Sequence, residues 1–279
     1  MKVLKFIVPY VIIGTFQYHF AKDAMSYASP ISFNLVRYLI STSIFVLLAR
    51  KIVVSKDILL LSIFTVTSSV LWALGLEFVS PSESAVLSYT MPLFSIPLAM
   101  LVISERPTLL EVAGVLIGFA GVTLYGFALL HHFSLFGGAL TVLNAVFWAL
   151  FSIYYRKLKD LDPVLVNASQ FALGSVILLA LLPLNPRISL NSSLLEDLGY
   201  TSILGGALSF LLWNMMVKLE KVSRITVLSF SVPMLATLVD ALSGDPVYPF
   251  QVVGILVMLL GILISRFRDI FKGTMGVRG

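Results

Sequence analysis

Ten apolar segments, each about 18–21 residues long, follow one another along the chain at roughly 6–24, 31–49, 58–78, 84–103, 109–129, 135–155, 163–183, 198–217, 225–243 and 248–265. At 1.5 Å per helical residue each spans about 30 Å, the thickness of a bilayer's hydrocarbon core. A helix satisfies its own backbone polar groups within one segment, which lipid requires. The pattern therefore predicts an all-α integral membrane protein of ten transmembrane helices. A water-soluble fold is excluded: 58% of residues are hydrophobic and 12% charged, where soluble chains average about a quarter charged. Prolines 30, 81, 107, 163 and 246 fall at or near the gaps, where a helix can start. Lys2 and Lys5 ahead of an apolar run resemble a signal peptide. The run is long for that role, so it reads as a retained first span.

Lysine and arginine set the orientation. Of 19 such residues, sixteen lie in the loops and tails on the side of the N-terminus, Lys22 and Arg187 lie on the other, and Arg37 lies inside a span. The acidic residues divide seven and seven. Both termini are therefore expected in the cytoplasm, in a multi-pass protein of the plasma membrane whose first partner is the lipid bilayer. The net charge of +5 comes from short loop clusters, not a basic stripe, so no nucleic-acid partner is expected. Without cysteine, and with two of its three histidines adjacent, the chain has no thiolate or histidine metal spacing. No metal or cofactor is expected.

The chain repeats itself. Trp72 pairs with Trp213, Val86-Leu87-Ser88-Tyr89 with Val227-Leu228-Ser229-Phe230, and Pro92 with Pro233, all at an offset of 141. At 140, Glu105 pairs with Asp245, Gly114 with Gly254 and Gly121 with Gly261; at 133, Pro30 and Asn34 pair with Pro163 and Asn167. Two units result, 1–130 with helices one to five and 131–279 with helices six to ten and a short basic tail. An odd number of spans per unit makes the copies cross in opposite senses, the inverted-topology repeat used by secondary transporters.

The tract Ala85 to Pro92, then Ser104-Glu105-Arg106, Gly114, Gly118 and Gly121, with its weaker echo in the second half, resembles the EamA family of the drug/metabolite transporter superfamily. The resemblance covers nearly the whole chain. It implies a permease with a central cavity between the halves, working by alternating access on a small metabolite. An amino acid or similar amphipathic solute is the first expectation, with a coupling proton or counter-solute as partner. A sugar-phosphate or nucleotide-sugar exchanger is the alternative within the superfamily. Outside it, the alternative is a scaffold or receptor that transports nothing. The sequence carries no HExxH, GxSxG or paired intramembrane aspartates, so catalysis is not expected, and no channel filter is visible.

Polar groups at membrane depth mark candidate sites. Arg37 lies about 10 Å down the second helix and reads equally well as a carboxylate or phosphate ligand and as a structural tie. Gln17, Asn144 and Asn214 lack matching partners in the repeat and suit a substrate; the matched Asn34 and Asn167 suit helix–helix bonding. Trp72, Trp148, Trp213, Tyr89 and Phe230 are candidate cavity walls, though core packing is the commoner fate of such rings. Pro92 and Pro233, each removing a helical hydrogen bond, are candidate gating kinks. Asp240 is a candidate coupling carboxylate, with an exposed helix end as its plainer reading.

Overall fold

The computed structural model describes residues 3–127, 134–242 and 247–275, and within these every side chain except those of Asp240 and residues 268–275. Long helices account for nearly all of it: α1 Leu4–Tyr27, α2 Pro30–Ala49, α3 Lys56–Phe78, α4 Pro81–Ile103, α5 Leu109–Phe127, α6 Leu135–Lys157, α7 Pro163–Leu184, α8 Ser192–Leu219, α9 Val222–Val239 and α10 Pro249–Met275. Helices α2 to α10 are each long and apolar enough to cross a membrane. The 24 residues of α1 are long enough too, but Gln17, His19, Lys22 and Asp23 lower its hydropathy. The protein is a multi-pass integral membrane protein.

Local chemistry sets the helix starts. Side chains of Ser29, Ser55, Ser80, Ser134, Asp162 and Asn191 each accept a backbone N–H in the first turn that follows, a cap worth about 1 kcal/mol. Ser80 and Glu83 close a reciprocal capping box, so Glu83 serves the start of α4. Inside the spans, the buried hydroxyls of Thr15, Ser62, Thr65, Thr141, Ser169 and Ser175 donate to the carbonyl four residues back, so each is satisfied within its own helix. Leu47, Leu101, Leu109, Leu116, Leu179 and Leu256 are exposed on the outside of the bundle, a surface made for acyl chains.

Three spans are irregular in mid-course, and α7 ends in a 3₁₀ turn over Leu182–Leu184. α4 is helical over Pro81–Ser88 and again over Met91–Ile103, with the break at Tyr89 and Thr90 just ahead of Pro92. α9 tightens to a 3₁₀ turn over Val227–Phe230 just ahead of Pro233. The two prolines that follow these breaks are 141 residues apart, the offset that also relates Trp72 to Trp213. α8 widens into a π-helix over Tyr200–Leu208, a form concentrated at functional sites.

The broadest helix–helix interface joins α5 to α10, followed by α3 to α6 and α2 to α7. Glycine makes the first possible. A Cβ on Gly114 would stand 2.6 Å from Gly261 O, and one on Gly121 2.6 Å from Gly254 O. Between α2 and α7, Thr42 Oγ1 and Ser175 Oγ are 3.2 Å apart, and the Tyr38 and Phe171 rings 4.9 Å apart.

One face of the bundle gathers most ion pairs and is called the basic face below. There Lys157 meets Asp57 at 2.8 Å, Arg224 meets Glu111 at 3.6 Å, Arg266 meets Glu220 at 2.9 Å and Arg156 meets Glu105 at 3.8 Å. Glu105 thus finds its partner on α6, 51 residues away in sequence. On the far face, the α1–α2 turn is stitched to the α7–α8 connection, with Ser29 N donating to Arg187 O at 2.8 Å and Ser189 N to Tyr27 O at 2.7 Å.

Candidate functional site

A cavity of about 90 Å³ lies at mid-length of the helices, walled by α1, α2, α3, α4, α6, α8 and α9. Each wall arrives for a local reason. The break in α4 turns Ser88, Tyr89 and Met91 toward the cavity, and the turn in α9 brings Ser229. Gly14 and Gly205 keep α1 and α8 thin beside it; a Cβ on Gly205 would sit 2.9 Å from the Gln17 amide.

Six of the nine residues singled out in the sequence line it: Gln17, Arg37, Trp72, Tyr89, Asn144 and Trp148. Three do not. Trp213 is fully buried beside it, its indole N–H donating to Ser152 Oγ at 2.9 Å and its ring 5.2 Å from that of Tyr10. Asn214 lies one residue round the same helix, and its amide donates to Asn167 Oδ1 at 2.8 Å. Phe230 packs against Gly118, where a Cβ would stand 2.2 Å from its ring. The Asp240 side chain lies outside the described residues.

Tyr10, Tyr18, Ser68, Ser69, Ser209 and Phe210 also line the cavity, and no charge or motif in the sequence marks them. Ser88 and Ser229 were visible as members of the matched tract, but nothing in spacing alone aimed them inward.

Arg37 is 3% exposed. Its Nε donates to Thr201 O at 3.1 Å and its Nη1 to Asn34 Oδ1 at 2.9 Å. Thr201 belongs to the π-helix of α8, so the guanidinium ties α2 to that irregular stretch. Phe33 and Trp72 flank the guanidinium carbon, their ring centroids 5.1 and 5.3 Å away. Asn34 is itself held, donating to Pro30 O and Ser69 O. Across the cavity, Asn144 accepts from Ser68 Oγ at 2.7 Å and donates to Ser88 Oγ at 3.3 Å. These bonds link α6 to α3 and α4 through a side chain that also faces the void.

Cationic side chains tie helix ends at both faces. On the far face, Lys22 of α1 donates to the last carbonyls of α3, Leu76 O and Val79 O. On the basic face, Arg156 of α6 donates to the last carbonyls of α8, Val217 O at 2.9 Å and Lys218 O at 2.7 Å. A cation at a helix C-terminus meets both unpaired carbonyls and the negative end of the helix dipole.

The sequence profile of the EamA-like transporter family matches residues 2–127 and again 135–267. An uncharacterized transporter from Acidianus ambivalens is 52% identical over 234 residues, covering 84% of this chain and 92% of its own. The uncharacterized transporter YyaM of Bacillus subtilis (strain 168) is 26% identical over 89% of this chain and 88% of its own. A crystal structure 17% identical in sequence superposes with a TM-score of 0.80 over 95% of this chain and 96% of its own, a likeness of fold.

Proposed function

This chain belongs to the EamA-like transporter family, and on that premise we propose that it moves a small amphipathic metabolite, an amino acid or a solute like one, by alternating access. The observation that carries the reading is the mid-membrane cavity, aromatic on several walls and polar at Arg37, Gln17 and Asn144. At about 90 Å³ it is smaller than the roughly 300–1,000 Å³ of sites that hold drug-sized ligands. Loading a solute therefore requires the walls to part, and the breaks ahead of Pro92 and Pro233 are where two of them bend.

Two inverted halves, 1–130 and 131–279, supply the motion in this reading. Support comes from pairs that a two-fold axis would produce. Gly114 touches Gly261 and Gly121 touches Gly254, and an offset of 140 converts one contact into the other. Tyr38 faces Phe171 and Thr42 faces Ser175, each pair being matching positions at an offset of 133. The Lys22 and Arg156 ties obey the same relation, because Leu76 and Glu77 correspond to Val217 and Lys218 at an offset of 141. Each half thus carries a latch at its own face, and releasing one while keeping the other opens the cavity on one side only.

The orientation that follows from the loop cations puts the basic face in the cytoplasm of a plasma-membrane protein. A proton or counter-solute gradient drives the cycle, since the sequence holds no ATP-binding motif. The test is counterflow of a radiolabelled amino-acid pool into proteoliposomes, against empty liposomes. Uptake abolished by unlabelled competitor supports the proposal. A folded preparation that exchanges neither amino acids nor sugar phosphates nor nucleotide sugars refutes it.

A further inference from the structure

The guanidinium of Arg37 is buried in the cavity wall, with no counter-ion among the described residues. None of the residues lining the cavity is acidic, and among the described residues no carboxylate pairs with it. An isolated charge away from water is costly unless something compensates it. Here the compensation is partial: one carbonyl, one amide oxygen and two aromatic faces. Those two hydrogen bonds use two of its five N–H groups, leaving the second proton on Nη1 and both on Nη2.

That Nη1–Nη2 edge is the fork that binds a carboxylate through two parallel hydrogen bonds. Resting on the transport reading above, we propose that Arg37 is the anchor for the carboxylate of a monoanionic organic acid, and that an amino group on the solute is dispensable. Among the described residues the cavity lining holds one cation, so one negative charge neutralises it; a phosphate monoester, carrying nearly two at neutral pH, leaves an excess. An ammonium group meets no carboxylate among the described cavity walls; what faces it is neutral, ring faces and the hydroxyl and amide oxygens, of which Asn144 Oδ1 already accepts from Ser68. The apolar part of the solute lies against Trp72, Trp148, Tyr89 and Met91.

Nature supplies the reporter. All three tryptophans are at the cavity: Trp72 and Trp148 line it, and the Trp213 ring lies 6.0 Å from that of Trp148, tilted by 49°. Intrinsic fluorescence of the purified full chain is titrated with 4-methylpentanoate, with L-leucine, which adds the amine, and with 4-methylpentanamide, which removes the charge. Straight-chain and aromatic acid–amide pairs extend the series. The acids are expected to bind at least about tenfold tighter than their amides, an ionic anchor's difference, with leucine no tighter than 4-methylpentanoate. Arg37→Gln abolishes the difference and Arg37→Lys keeps part of it.

Amides binding as well as acids throughout the series, or an acid preference that survives Arg37→Gln, overturns the proposal. If Arg37→Gln fails to fold, the acid–amide comparison on the natural chain still decides. Counterflow of an uncharged solute with no acid preference overturns the anchor while leaving transport standing. Absence of counterflow for every solute pool removes the transport reading itself.

Discussion

Removing the latch at Arg156 should open the basic face and leave the far face shut. Arg156 makes two charge-assisted hydrogen bonds, 2.9 Å to Val217 O and 2.7 Å to Lys218 O, and stands 3.8 Å from Glu105. Hydrogen bonds to a charged group are worth about 1.5–3 kcal/mol each. One nitrogen makes both here, and the side chain is 19% exposed, so about 2–3 kcal/mol in total is a fair figure. Lost from the closed state alone, that shifts the open-to-closed ratio by roughly 30–150-fold. The chain has no cysteine, so a single Ser209→Cys on the cavity wall is a clean probe. Arg156→Gln should speed its labelling by a membrane-impermeant maleimide from the basic face by tens-fold, with no gain from the far face. Lys22→Gln, which cuts the ties to Leu76 O and Val79 O, should do the reverse. Equal acceleration from both sides in either variant would refute the latch argument, as would no acceleration in both.

Further tests address packing and protonation. Gly114→Ala places a methyl 2.6 Å from Gly261 O, a backbone atom that moves only with its helix, and should destabilise by about 1–3 kcal/mol. Gly199→Ala meets nothing within 4 Å and should be neutral or stabilising in the same thermal melts. Trp213→Phe should cost about 1 kcal/mol through the bond to Ser152, read by chemical denaturation in detergent. Burial pushes the Glu105 carboxyl above its usual range, against the opposing pull of Arg156 and of backbone N–H groups of Ser223 and Val222. The native state therefore holds that proton more tightly than the unfolded chain. The stability of the natural chain relative to Glu105→Gln should be highest at acid pH, fall as pH rises from 4.5 through the raised value, and level off above it. A difference that climbs over that window would reverse the assignment.

How far a chain like this can be read depends on which forces act locally. The spans were legible because burial in lipid depends only on a run of about twenty apolar residues, whatever lies beside it. Helix starts were legible at Pro30, Pro81 and Pro163, since a cap and a proline act within one turn. The family was legible in the matched tracts, and the breaks ahead of Pro92 and Pro233 in the loss of a helical donor. The cavity was not, because facing it depends on helix rotation and on what the neighbouring helix presents. Asn144 and Asn214 are alike in sequence, yet one meets Ser68 and Ser88 at the void while the other bonds Asn167 away from it. Trp72 and Trp213 pair in sequence at an offset of 141, yet only Trp72 of the two lines the cavity. Glu105 took Arg156 over the adjacent Arg106 because neighbours in a loop need not face one another. The carbonyl that holds Arg37 belongs to Thr201 in the π-wound part of α8, 164 residues away in sequence. Hydropathy and local caps decided where the chain crosses the membrane; helix packing, a long-range fit of one surface to another, decided which side chains meet at its centre.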